Sequence, residues 1–123
     1  MNIIESPRYK RSYKKVLKNR PKEVERLENI KNVILSSENL HRLLLSEYKN
    51  VYHIEKKNGN LKEYYTARLN EKIRLLMKPL GSYPYKEIEI EEIVFEDIDD
   101  THYGEGWLYE RIWKYVKGLF GIL

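Results

Sequence analysis

The stretch from Asp97 to Gly106, "DIDDTHYGEG", sets three carboxylates close to an imidazole and a phenol, where an alternating strand pattern ends. Histidine is the side chain best matched to proton transfer near neutrality. His41 precedes an apolar run and His53 reads as mid-strand, so ordinary structural roles suffice for both. His102 follows a strand and precedes Tyr103 and Gly104, a position at which sheets present catalytic groups. The neighbouring carboxylates would raise its pKa and keep it protonated as a general acid. The competing interpretation is a corner of the chain without chemistry.

A second set of chemically able residues lies upstream in "LKEYYTARLNEKIRLLMKPLG". Alternation puts Lys62, Tyr64, Thr66 and Arg68 on one side, with Glu63, Tyr65, Ala67 and Leu69 on the other. Ile73, Leu75 and Met77 then share one side, and Arg74, Leu76 and Lys78 the opposite one. A two-residue loop would pair Arg68 with Ile73 and mix polar with apolar residues on both faces. A three-residue loop, Asn70–Glu71–Lys72, pairs Leu69 with Ile73 and Arg68 with Arg74, and directly opposed residues share a face. The three-residue register is therefore expected, with two arginines side by side. Like charges opposed on a sheet cost stability. The pair is either a seat for a divalent anion such as phosphate, or two arginines that each meet a carboxylate.

Facing His102, the two arginines would suit cleavage of an RNA phosphodiester. A 2′-hydroxyl attacks the adjacent phosphorus, the guanidiniums hold the phosphate and stabilise charge on its oxygens, and the imidazole moves a proton. Tyr64 or Tyr103 could stack on a base. This chemistry calls for no metal and no cofactor. Asp97, Asp99 and Asp100 lack the spacing of a recognised cation-binding loop and are assigned structural or pKa-tuning roles.

The elements that must position these groups also have a pattern. Ser6 is placed as an N-cap and Pro7 at the first helical position. Tyr9, Tyr13, Val16 and Leu17 follow at helical spacing. Pro21 begins a second helix, with Val24, Leu27, Ile30 (or Lys31) and Ile34 along one face. Such a helical hairpin needs a sheet to cover its apolar seam. "HRLLLSEYKN" is either a short helical turn or a loop. "VYHIEKK" reads as a short strand closed by the turn residues Asn58, Gly59 and Asn60. "EIEIEEIVFEDID" reads as a strand whose phase slips at Glu91–Glu92, as a bulge would cause. "GWLYERIWKYVKGLFGIL" reads as an amphipathic helix packed on the domain, with Leu108, Ile112, Val116 and Leu119 or Phe120 on its apolar face.

With 123 residues the chain suits one domain with a modest core. Cysteine is absent, which excludes disulfides and thiolate metal sites. The N-terminus lacks the pattern of a secretory signal, and no apolar run approaches the roughly 18 residues of a membrane span. The formal net charge is +4. Basic residues crowd the stretch from Arg8 to Lys22, and acidic ones the stretch from Glu87 to Asp100. These are two solvated faces attracting each other, or a basic surface for phosphates with an acidic edge limiting where nucleic acid lies. Composition favours the first.

The segments "GNLKEYYTARLNEKIRLLMKP" and "IDDTHYGEG" resemble the RelE/ParE superfamily of toxin–antitoxin toxins, and within it the YoeB and HigB branches. The residues carrying the resemblance are Tyr64–Tyr65, Thr66, Arg68, Asn70, Arg74 and His102–Tyr103, and it spans about residues 7 to 106. It implies an α+β fold, an N-terminal helical hairpin on a small, strongly twisted antiparallel sheet, over residues 1–106. Residues 107–123 then form an additional C-terminal helix. It implies a cytoplasmic, metal-independent mRNA interferase, acting on mRNA in the ribosomal A site and inhibiting translation. A cognate antitoxin protein would hold it inactive, with no membrane partner and no DNA contact by the toxin alone.

By the same resemblance Arg74 is the phosphate-binding arginine, His102 the general acid/base, Tyr103 the terminal aromatic and Arg68 a further arginine of the YoeB-like pattern. Lys57, Lys62, Tyr64, Thr66 and Lys78 are expected to bind RNA. HigB-like sequences place a lysine where Asn58 stands here, with Lys56 or Lys57 as the nearest substitute. The glutamate base of YoeB-like enzymes has only loose counterparts, Glu55 or Glu63. Two alternatives belong to other classes: a non-catalytic, ParE-like toxin binding DNA gyrase, and a protein-interaction module anchored by Trp107 and Trp113.

Overall fold

The computed structural model describes residues 1–100 of the chain. The expected C-terminal helix, the boundary at residue 106, and His102 and Tyr103 lie outside the described residues.

The helical hairpin forms as the sequence predicts. Ser6 accepts a hydrogen bond from Tyr9 N at 3.0 Å and caps α1 (Pro7–Val16), whose first residue is the proline. Pro21 starts α2 (Pro21–Ser36), which buries Leu27, Ile30 and Ile34. The segment left open between turn and loop is helical, as α3 (Leu40–Leu45) and α4 (Tyr48–Val51). Asn39 caps α3 by accepting from Arg42 N at 2.9 Å.

The described residues include a five-stranded sheet in the order β1-β5-β4-β3-β2. Its strands are β1 (Asn2–Glu5), β2 (Glu55–Lys56), β3 (Tyr65–Arg68), β4 (Arg74–Pro79) and β5 (Glu92–Asp99). The architecture is α+β, with antiparallel pairing through β2, β3, β4 and β5. At the far edge β1 pairs with β5 in parallel, a strand that sequence reading did not foresee. Beyond Phe95 the edge of β5 is met by the start of α1, where Ser6 N donates to Phe95 O and Ser6 Oγ to Glu96 O.

Two local expectations are corrected. His53 is not mid-strand: α4 runs to Val51, and His53 turns the chain with φ at +49° before the short β2. The phase change at Glu91–Glu92 is not a bulge but the passage from a 3₁₀ turn (Glu87–Glu89) into β5. The bulge lies further along. Leu76 pairs with Asp97 and Met77 with Phe95, leaving Glu96 as the extra residue. This irregularity lets Phe95 and Ile98 both join the core.

One apolar cluster joins α1 and α2 to the inner face of the sheet. It contains Tyr9, Leu27, Ile30 and Ile34 from the helices, and Leu75, Met77, Phe95 and Ile98 from the strands. Tyr9 meets Phe95 edge-on at 5.4 Å between ring centres. Burial pushes the phenols of Tyr9 and Tyr85 up to about 12. In the unfolded chain a phenol releases its proton near pH ~10. Between those values the folded protein holds protons the unfolded chain has lost, so stability falls as pH rises from about 10 toward 12. Urea midpoints measured at pH 8 and again at pH 11 are expected to show this fall, and Tyr9→Phe should flatten part of it. An unchanged slope in that variant would contradict the burial of the Tyr9 hydroxyl.

Candidate active site

The three-residue hairpin is observed. Arg68 stands opposite Arg74, with Leu69 N donating to Ile73 O at 2.9 Å. Asn70 makes the turn by accepting from Lys72 N at 2.8 Å and Ile73 N at 2.7 Å. Its amide also donates to Glu23 at 3.0 Å, tying the hairpin to α2 and holding the Glu23 carboxyl below the usual range. Asparagine suits this place because its short side chain can mimic a turn of backbone.

Arg68 is pinned through its backbone: its N–H donates to Tyr52 O at 2.8 Å, and its carbonyl accepts from Arg26 Nε at 2.6 Å. Arg26 in turn lies 4.9 Å over the Tyr52 ring. The Arg68 Nε is buried and has no hydrogen-bond partner among the described residues. Arg74 folds back on the turn, its Nη1 donating to Asn70 O at 2.6 Å. On its other flank Arg74 is in register with Asp99 of β5. The outer face of the sheet thus sets two guanidinium-bearing residues in a row with one carboxylate-bearing residue.

The same face carries Tyr64, Thr66, Leu76 and Lys78. Leu76, Leu61 and Tyr64 form a small apolar cluster separate from the main core. Lys78 Nζ lies 5.8 Å over the Tyr64 ring. Thr66 is only 6% exposed, so it supports this surface more than it offers area to a ligand. Lys57 pairs with Glu55 at 3.8 Å, and its N–H bonds Tyr64 O at 3.0 Å, which keeps it near the cluster. Lys62 is drawn elsewhere, to a position 5.2 Å over the Tyr83 ring. The structure thus brings together Arg68, Arg74, Tyr64, Thr66 and Lys78, with Lys57 at the margin and Lys62 apart.

The acidic stretch divides in role. Asp97 is buried and structural: Arg8 approaches it at 3.1 Å, Ser12 donates to it, and it accepts from Ile98 N at 2.9 Å. Lys31 likewise meets Glu5 at 2.9 Å, so basic helix residues do attract acidic strand residues across the fold. Of the two roles open to Asp97 from the sequence, structural or pKa-tuning, the fold shows the structural one, with the carboxylate held by α1. A cavity of about 360 Å³, lined by Arg20, Asn70, Glu71, Lys72, Ile73 and Asp100, opens at the same end of the sheet as Arg74.

The sequence matches no family model, and no curated protein matches it. Among solved structures, the fold is that of RelE-like toxins. The chain is similar to YafQ from E. coli strain BL21(DE3), with 18% identity, a TM-score of 0.57, and coverage of 88% of this chain and 97% of that one. It is also similar to a chain in the heterotetrameric YoeB-YefM toxin–antitoxin complex from Staphylococcus aureus. There the identity is 24% and the TM-score 0.53, covering 84% of this chain and 98% of that one.

Proposed function

We propose that this chain is the toxin of a type II toxin–antitoxin system and a metal-independent endoribonuclease that cleaves mRNA. The observation that carries the reading is the direct opposition of Arg68 and Arg74 on the outer sheet face of a RelE-like fold. Opposed like charges cost stability, and a bound phosphate relieves that cost.

In this reading the 2′-hydroxyl of one nucleotide attacks the adjacent phosphorus as its proton passes to a base. The bond to the 5′-oxygen breaks, and His102 supplies the proton that the leaving oxygen takes up. The products are a 2′,3′-cyclic phosphate and a free 5′-hydroxyl. Arg74 and Arg68 bind the phosphate oxygens as charge builds on them. Tyr103, Tyr64, Lys57, Lys62 and Lys78 bind the flanking RNA. The ribosomal A site presents the mRNA, a cognate antitoxin blocks the toxin, and the setting is cytoplasmic.

Inducible expression in a bacterium, with primer-extension mapping of transcripts, tests the proposal. Translation arrest is expected together with new 5′ ends inside coding sequences. Arrest with intact transcripts and trapped gyrase–DNA complexes would replace the nuclease by the ParE-like reading.

A further inference from the structure

The loop between β4 and the 3₁₀ turn carries Tyr83, a half-buried ring outside the arginine face. Two ammonium groups converge on it, Lys62 Nζ at 5.2 Å and Lys56 Nζ at 5.9 Å from its centroid. Tyr85 meets it edge-on at 5.5 Å and 89°. That support is fixed in turn. Tyr85 donates to Glu63 O at 2.8 Å and packs on Tyr65 at 6.5 Å, and Tyr65 donates to Glu87 at 2.8 Å. A ring braced from behind and flanked by exposed lysines combines the two features that hold single-stranded nucleic acid: a stacking surface and nearby positive charge.

Lys56 is in register with Tyr65, whose side chain faces away from Arg68, so RNA running from the arginine pair to Tyr83 would pass over the β2 edge of the sheet. We infer that Tyr83, with Lys56 and Lys62, is a subsite on which a base of the RNA flanking the scissile phosphate stacks. This inference rests on the nuclease reading and adds to it. Stacking accepts any base, so the subsite raises affinity and sets the distance to the arginines without choosing a sequence. The lysines neutralise the phosphates on either side of the stacked base.

The test uses the full chain and an RNA oligonucleotide carrying a 2′-deoxyribose at the mapped cleavage position, which allows binding without cleavage. Tyr83→Leu is expected to weaken binding about tenfold, and Tyr83→Phe to preserve it. On an oligonucleotide whose flanking position is abasic, the difference between wild type and Tyr83→Leu should vanish. With cleavable RNA, Tyr83→Leu should raise KM and spare kcat. The double variant Lys56→Gln/Lys62→Gln alters only exposed side chains, and should bind more weakly with a shallower salt dependence. It decides the matter if Tyr83→Leu does not fold. Wild-type cleavage with unchanged RNA binding in these variants would overturn the subsite and leave the nuclease standing. So would a loss confined to antitoxin binding, which would make the surface a protein contact. A wild-type chain that neither binds nor cleaves RNA would remove both.

Discussion

Arg74→Ala is expected to lower the rate of mRNA cleavage by about 10²–10³ and to relieve growth arrest on induction. Removing one preorganised donor from charge developing on an oxygen costs about 2.7–4 kcal/mol in a water-poor site. The hairpin fixes the Arg74 backbone and Asn70 O accepts from its Nη1 at 2.6 Å, which would hold the guanidinium ready for the proposed task. The same contact predicts a second, separable effect. Hydrogen bonds from charged groups contribute about 1.5–3 kcal/mol, so the variant should also melt at a lower temperature. Comparing cleavage rates below both melting temperatures isolates the chemical loss. Arg74→Lys keeps the charge but not the two-pronged geometry, and should fall between the two. Cleavage at the wild-type rate by a folded Arg74→Ala protein would leave the arginine pair without its assigned role.

The second large effect belongs to His102→Ala. A positioned general acid or base contributes about 10²–10⁴ in rate, so cleavage should drop by that factor while RNA binding persists. The pH profile of kcat gives a sharper test. Ordinary imidazoles titrate near pH ~6.5, and the limb of the wild-type profile that reports this group should disappear from the variant. Partial relief of toxicity would still agree with the proposal. Undiminished toxicity from both His102→Ala and Arg74→Ala would not.

Arg68 stands opposite Arg74 in the hairpin, and its Nε is buried without a hydrogen-bond partner among the described residues. A buried donor left unbonded costs about 1–3 kcal/mol, so an incoming phosphate oxygen has something to gain there.

Much of this arrangement is local, and for that reason it could be read from the sequence. Ser6–Pro7 and Pro21 mark helix starts through backbone constraints that act within a few residues. The opposition of Arg68 and Arg74 followed from parity alone, because strand side chains alternate and only one loop length kept Ile73, Leu75 and Met77 inside. What escaped sequence reading depends on partners distant in the chain. Asn2–Glu5 becomes a strand because it pairs with Glu92–Phe95, and nothing within four residues reveals that. Asp97 was open to a structural or a pKa-tuning role, and the Arg8 and Ser12 that hold it lie far away in the sequence. The bulge at Glu96 exists only relative to β4, and the Tyr83 platform only because β2, β3 and a distant loop meet. Alternation and capping are short-range steric and hydrogen-bonding effects, so sequence by itself determined the helical hairpin and the arginine pair. Which charges neutralise which, and which rings stand open to a ligand, only tertiary packing decided, because those contacts form between segments the chain brings together on folding.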